Sequence, residues 1–289
     1  MTKKVDKLIE NIGQYREQSF RIAPGLRLHS KEEAVAFVNE RGFILFHPAK
    51  DFIMPSLWTA TAGDRPVPNE HDDPGHVSWG WKDALLGKRQ CYYGRFLKKK
   101  MTFISLDLLP SFYRLSDNFD DYEHDYEVRY SSGSMSYEAK SIYEVLLENG
   151  PLHTLELRRR ANLWGRESQY RYSKALDFLQ TELMIHPVGI AEAGRWNYAF
   201  IFDILPHYYS KLIEQAKQIT DREAERNILH AYLRSLGAVN FAETVRLLKL
   251  QKKRVEKRFA EMAEEGICHP LSESQTGGDY QVILKELLI

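Results

Sequence analysis

The sequence predicts an α+β, helix-rich fold of tandem winged-helix (helix-turn-helix) modules, two in its second half and a third at the N-terminus. Three observations predict it. The order helix, short helix, longer helix, strand–turn–strand occurs twice after residue 133. The two hairpins open on matching residues, Ile185-His186-Pro187 and Ile267-Cys268-His269-Pro270. In the first half, a capped apolar helix runs directly into the strand-like stretch Gly42–Phe46.

Taken in order, residues 5–18 make an amphipathic first helix. Ser30-Lys31-Glu32-Glu33 is a capping box opening a second helix, with Ala34, Val35, Phe37 and Val38 apolar. The strand GFILF follows it as a wing strand follows the third helix of a module, and the middle helix has no obvious place. The rest of residues 1–130 is irregular and rich in Trp and Pro, so this span reads as one N-terminal domain. Asp117–Gly133 is acidic, then small and polar, which predicts a linker or surface loop.

Residues 134–206 form the next module. Ser136 serves as N-cap, and Ala139, Ile142, Tyr143, Leu146 and Leu147 recur at helical spacing until Asn149-Gly150-Pro151 stops the helix. Thr154 begins a short helix, LELRRRANL. After Trp164-Gly165 the longer RESQYRYSKALDFLQTE puts Tyr172, Leu176 and Leu179 on one face. Two apolar runs about Glu192-Ala193-Gly194 give the hairpin. Residues 220–289 repeat the plan. Ile228, Leu229, Tyr232, Leu233 and Leu236 line a helix ended by Gly237, Asn240 caps FAETVRLLKL, and Val255, Phe259 and Met262 space the third helix. The last hairpin bends at Thr276-Gly277-Gly278-Asp279.

A chain of 289 residues suits two or three small domains. Its 43% hydrophobic and 28% charged residues are ordinary for a globular protein. Zero net charge excludes a wholly basic nucleic-acid coat while allowing a basic stripe balanced by acid elsewhere. Cys91 and Cys268 lie far apart in no ligand-like spacing, which predicts reduced thiols. The N-terminal segment lacks the apolar stretch of a signal peptide, and no run approaches the ~20 apolar residues of a membrane span. The expectation is a cytoplasmic, nucleoid-associated protein with no membrane partner and no cofactor.

Basic residues gather on the helices that a winged helix presents to DNA. Arg158, Arg159 and Arg160 lie on a second helix; Arg166, Arg171 and Lys174 on a third; Lys252, Lys253, Arg254, Lys257 and Arg258 on the other third helix. Lys and Arg there neutralise phosphates, and Gln169, Ser168 or Arg171 could touch base edges. The candidate DNA contacts are Arg158, Arg159, Arg166, Gln169, Arg171, Lys174, Lys252, Lys253 and Lys257. Solvated helix faces produce the same runs, so a module that binds protein is the competing reading. Asn69–His76 holds two His and two Asp, but Pro and Gly surround them and no ligand spacing on a helix accompanies them. A hydrogen-bonded surface loop is expected, with no metal. Trp79 and Trp81 read as packing rather than base-stacking groups.

The stretch GFILFHPAKDFIMPSLW, supported by YYGRFLKKKMTFISLDLLPSFY and by the tandem modules, resembles the AlkZ/YcaQ-like family of bacterial DNA glycosylases, in particular its AlkZ-related members. That resemblance implies double-stranded DNA as partner, alkylated or crosslinked, and removal of alkylated purines by hydrolysis. The family's catalytic signature is Gln-x-Gln or Gln-x-Asp just before the Pro. Here the two positions are Leu45 and His47. A neutral imidazole can take a proton from water, whereas Leu45 can neither hold a water nor stabilise a cationic sugar. Asp51 is the nearest carboxylate. The candidate catalytic residues are therefore His47 and Asp51. Three functions follow: a DNA-binding, damage-recognition protein without the family's catalysis; an active glycosylase with a site rearranged around His47; and a winged-helix module that binds protein.

Overall fold

The computed structural model describes residues 2–70, 72–271 and 280–288. Each helix and strand has a local cause, and one local device recurs three times. The helices α2 (Lys31–Arg41), α7 (Tyr137–Asn149) and α12 (Asp221–Leu236) follow α1 (Thr2–Ser19) in the chain. Each ends at a glycine of positive φ: Gly42 at 81°, Gly150 at 71°, Gly237 at 76°. In each case the glycine N–H donates to the carbonyl four residues back, on Val38, Leu146 and Leu233. Residues with a Cβ rarely adopt that conformation, so glycine stops the helix and turns the chain into a strand.

The strand is β1 (Phe43–Leu45), β4 (Leu152–His153) or β7 (Ala238–Val239). Two helices follow each: α3 (Leu57–Ala62) and α4 (Val77–Leu85); α8 (Thr154–Arg160) and α9 (Gln169–Thr181); α13 (Phe241–Leu248) and α14 (Lys252–Glu264). Then come the hairpins β2 (Cys91–Arg95) with β3 (Met101–Ser105), β5 (Ile185–Ala191) with β6 (Ala199–Ile204), and β8 (Cys268–Pro270) with β9 (Val282–Leu284). Every sheet is antiparallel with the last strand central, in the orders β1-β3-β2, β4-β6-β5 and β7-β9-β8. The order helix, short strand, two helices, hairpin thus recurs three times. Pro187 pairs with Phe202 opposite Leu152, and Pro270 with Val282 opposite Val239, so the two His-Pro pairs occupy equivalent places. The Thr276–Asp279 bend lies outside the described residues.

The first module differs from the reading of its sequence. The capped helix α2 is its first helix, and Phe43–Leu45 is its first strand rather than a wing. The missing helices are α3 and α4, of six and nine residues. They are too short to show a helical period. The wing is Cys91–Ser105. The acidic stretch 117–133 is not all loop: it contains α6 (Asp125–Ser131), which follows α5 (Leu109–Arg114). Tyr126 of α6 is buried against Tyr143, with ring centroids 5.2 Å apart.

Strand β1 is covered on both faces, because alternate side chains of a strand point opposite ways. Ile44 and Phe46 enter a core with Phe37, Leu57, Tyr93 and Phe103. Phe43 and Leu45 enter a larger core that runs through α5 into the third module, reaching Leu229, Tyr232, Phe259 and Met262. The middle module has its own core around Ile142, Leu146, Leu179 and Ile204. Short helices α10 (Leu205–Tyr208) and α11 (Leu212–Lys217) carry the chain back to α5. Cys91 and Cys268 are buried free thiols. Among the described residues, no helix is long and apolar enough to cross a membrane.

Candidate nucleic-acid interface and histidine site

After Leu45 the chain leaves the sheet. Phe46 donates its N–H to the Met101 carbonyl, and its own carbonyl accepts from Trp58 N–H, so residues 46 and 58 are held side by side. Ser56 caps α3 through Thr59 N–H. Trp58 is fully enclosed and donates its indole N–H to the Arg65 carbonyl at 2.9 Å. Arg65 stacks over the same ring and forks onto both oxygens of Asp73 at 2.6 and 2.9 Å. Asp73 also accepts from Gly75 N–H, which sets the turn that leads into α4.

That chain of bonds brings two histidines into one aromatic cluster. His47 stacks on Phe46 at 4.3 Å and meets Trp58 and Trp79 at 6.0 and 5.8 Å. His76 meets Trp58 and Trp79 at 5.5 and 6.3 Å. The Nε2 atoms of both imidazoles are shielded from water and have no hydrogen-bond partner among the described residues. Burial, helped by His76 and the Lys82 ammonium, pushes the His47 pKa down to about 4. The ring is therefore neutral at physiological pH, the form that can accept a proton. Trp79 is 42% exposed and bridges this cluster to solvent. Trp81, half-buried, packs against the first module's own core.

No carboxylate pairs with His47 or His76 among the described residues, though Asp73 lies near enough to feel the His76 charge. Asp51 stands on the surface, paired with Lys98 at 2.7 Å. Asp73 is committed to Arg65. Leu45 is fully enclosed in the larger core. The structure thus gathers His47 and His76 and leaves Asp51 apart. In the 69–76 loop, His71 lies outside the described residues, and no three ligand-type side chains converge elsewhere among the described ones.

Beneath Trp79, Lys82 is 1% exposed. Its ammonium is ringed by Trp79, Tyr93, Tyr198 and Phe200 at 5.1 to 6.0 Å. It donates to the Tyr198 hydroxyl at 2.6 Å and pairs with Asp83, to which Tyr198 donates at 2.8 Å. Tyr198 begins the returning side of the second module's wing. The third helix of the first module is thereby fixed to the wing of the second.

The predicted DNA contacts divide into two sets. Arg158 is committed inward: it donates to the Leu163 and Gly165 carbonyls at 2.6 and 2.7 Å and lies against the Trp164 and Tyr172 rings. Arg159 forks onto Glu156, whose carboxyl the two arginines Arg159 and Arg160 hold down at about 2. Arg171 reaches Glu138 at 3.3 Å, and Lys252 lies 3.7 Å from Glu256. Arg166, Lys174, Lys253 and Lys257 are exposed and in no ion pair among the described residues; Gln169 makes only a 3.4 Å bond to Ser173. The sequence reading omitted the aromatics beside this set. Tyr170 is 75% exposed at the start of α9, Trp196 is 81% exposed at the tip of the wing, and Arg195 lies over the Trp196 ring. Their signal was the polar context of each ring, Gln169-Tyr170-Arg171 and Arg195-Trp196-Asn197.

A family model described as "AlkZ related" matches residues 28–249 of the chain. No curated protein sequence matches it. Among solved structures, the Streptomyces sahachiroi DNA glycosylase AlkZ is similar, with a TM-score of 0.56 over 96% of this chain and 69% of that one. The sequences are 13% identical, so the likeness is one of fold.

Proposed function

Because the chain belongs to the AlkZ-related family, we propose that it is a DNA-repair protein that binds double-stranded DNA and recognises alkylated or crosslinked sites without the family's hydrolytic step. One observation carries the reading. Gln169, the exposed Tyr170 and unpaired Lys174 lie on the first half of α9, unpaired Arg166 lies in the turn leading into it, and Arg195 and Trp196 stand on the same module's hairpin. Cations free of carboxylate partners suit phosphates, and exposed rings suit bases displaced from the stack. Against catalysis stand Leu45, which has no polar atom on its side chain, and the lack of a carboxylate beside His47 among the described residues. Hydrolysis of a glycosidic bond needs both a positioned water and stabilisation of a cationic sugar.

A second reading, an active glycosylase using His47, is favoured by the two unpartnered Nε2 atoms in the Trp58–Trp79 cluster. One experiment separates the two. Fluorescence anisotropy is followed on a duplex with and without an N-alkylpurine at several salt concentrations, with base release assayed in parallel. The first reading expects steeply salt-dependent binding, tighter on the lesion, and no base release. Base release abolished by His47→Ala would establish the second. No binding at low salt would defeat both and leave a protein partner.

A further inference from the structure

A cleft of about 650 Å³ opens where the first and third modules meet, beside the C-terminal end of α14. Tyr15, Arg41, His230, Arg234, Gly266 and Lys285 line it. Its lining holds Arg234 and Lys285, a third cation, Arg41, that pairs with Glu40 at 2.7 Å, a histidine, and one carboxylate, Glu286. On a chain with equal numbers of acidic and basic residues this imbalance is local. Neighbouring arginines are neutralised: Arg21 and Arg41 share Glu40, Arg226 pairs with Glu265, and Arg222 with Glu261. Arg234 and Lys285 make no ion pair among the described residues.

Neutral acceptors hold Arg234 and one donor of Arg41, whose other donor meets the Glu40 carboxylate. The Arg234 carbonyl accepts from the Tyr15 hydroxyl at 2.6 Å and from Arg41 Nη1 at 3.0 Å. The Arg234 guanidinium donates Nη2 to the Glu40 main-chain oxygen at 3.3 Å. A carbonyl fixes a guanidinium without cancelling its charge, so Arg234 keeps its charge at the cleft. The opposite wall makes room for Lys285. Gly266 has φ of 76°, and a Cβ there would stand 3.3 Å from Lys285 Nζ. Glycine both permits the turn and leaves the ammonium its place over the backbone. Burial first, then the Arg234 and Arg226 charges, lower the His230 pKa, with Glu265 opposing them.

We infer that this cleft binds a phosphoryl group, held by the Arg234 guanidinium and the Lys285 ammonium above the floor made by Arg41 and Tyr15. A planar guanidinium presents paired donors to phosphate oxygens, and an ammonium adds a movable point charge. The phosphoryl group can belong to a DNA backbone passing the cleft or to a free phosphate-bearing small molecule. The inference does not rest on the proposed function, since neither α9 nor the histidine cluster lines the cleft.

The test uses the full chain, labelled with 15N and titrated with inorganic phosphate, with sodium chloride at matched ionic strength as control. Saturable shifts are expected at the Gly266 amide and the His230 ring. Arg234→Gln with Lys285→Gln should weaken the phosphate response at least tenfold, while Arg234→Lys retains most of it. An unchanged thermal midpoint shows that the double variant is folded. Chloride shifts equal to those of phosphate, or a double variant that responds like the wild type, would overturn the inference. The source is then read by adding duplex. Displacement of phosphate, with a salt slope lower by about one to two in the double variant, assigns the group to a DNA backbone. Phosphate shifts that persist at saturating duplex assign it to a small molecule. Failure to bind duplex at all would defeat the proposed function and leave the phosphate result standing.

Discussion

The Lys82 ammonium and the Tyr198 hydroxyl, 116 residues apart in the chain, are joined by a 2.6 Å hydrogen bond inside a ring of aromatic side chains. Through it the helix that carries Trp79 and flanks His47 is fixed to the wing that carries Trp196. A buried ammonium is costly unless bonded, and burial lowers the Lys82 pKa accordingly.

Replacing Lys82 by Met keeps the volume and removes the bonds to Tyr198 and Asp83. The expected cost is ~1.5–3 kcal/mol, the range for hydrogen bonds to charged groups, with Tyr198 left on its bond to Asp83 alone. Urea unfolding gives the change in stability, and a spin-label distance between residues 79 and 196 gives the loosening. A variant as stable as the wild type with an unchanged distance distribution would mean that apolar packing alone sets the contact.

His186 predicts an acid-sensitive fold. It is enclosed, both ring nitrogens lack partners among the described residues, and Tyr92 and Tyr209 stack on it at 5.6 and 5.2 Å. Burial pushes its pKa down to about 3. The unfolded state, near the ordinary 6.5, then binds more protons than the folded one. Stability is complete above about pH 6.5 and falls as pH drops towards the folded value, by up to ~1.4 kcal/mol per pH unit. His47 adds a smaller part in the same direction, because it is only half-buried. His186→Phe should narrow the gap between thermal midpoints at pH 5 and pH 7.5. An equal gap in both proteins would remove His186 from the account.

The cations of the second module should separate by role. Arg158→Ala should lower stability by ~1–3 kcal/mol by orphaning the Leu163 and Gly165 carbonyls, while leaving the salt slope of DNA binding unchanged. Arg166→Ala should do the reverse, reducing the slope by about one with little effect on unfolding. Identical behaviour of the two would show that the partners of Arg158 do not decide its role.

Charge reversal at Lys252, Lys253 and Lys257 should weaken duplex binding on the order of tenfold to a hundredfold at moderate salt. Anisotropy titrations would show it, and undiminished affinity would move the interface off α14.

Tyr170→Ala and Trp196→Ala should each cost ~1–3 kcal/mol on a duplex with a displaced or damaged base, and much less on an intact one. Equal losses on both duplexes would make the rings backbone contacts.

The fold was legible wherever a period or a cap was long enough to read. Ser136, Asn240 and the apolar faces of α7 and α12 announced themselves. The first module was misread by one position because α3 and α4 are too short to carry a period. The Gly42-Phe43 step, repeated at Gly150 and Gly237, held the correct register all along. His47 was legible as the end of a strand. Its company was not, since Trp58, His76 and Trp79 meet it through the Arg65–Asp73 fork, a contact between loops. Nor could a run of three arginines say which of them turns inward: Arg158 does so because two carbonyls of the following loop lie within its reach.

The core shared by Phe43, Leu45, Tyr232 and Phe259 also dictates an order of assembly. On a ribosome, the middle module can close over its own side chains as soon as β6 emerges. The first module must wait, with one face of β1 only partly covered by α5, until α12 and α14 have been made. The first module, translated before the other two, is therefore among the last parts to become native, and in the interval its apolar strand is what a chaperone would find.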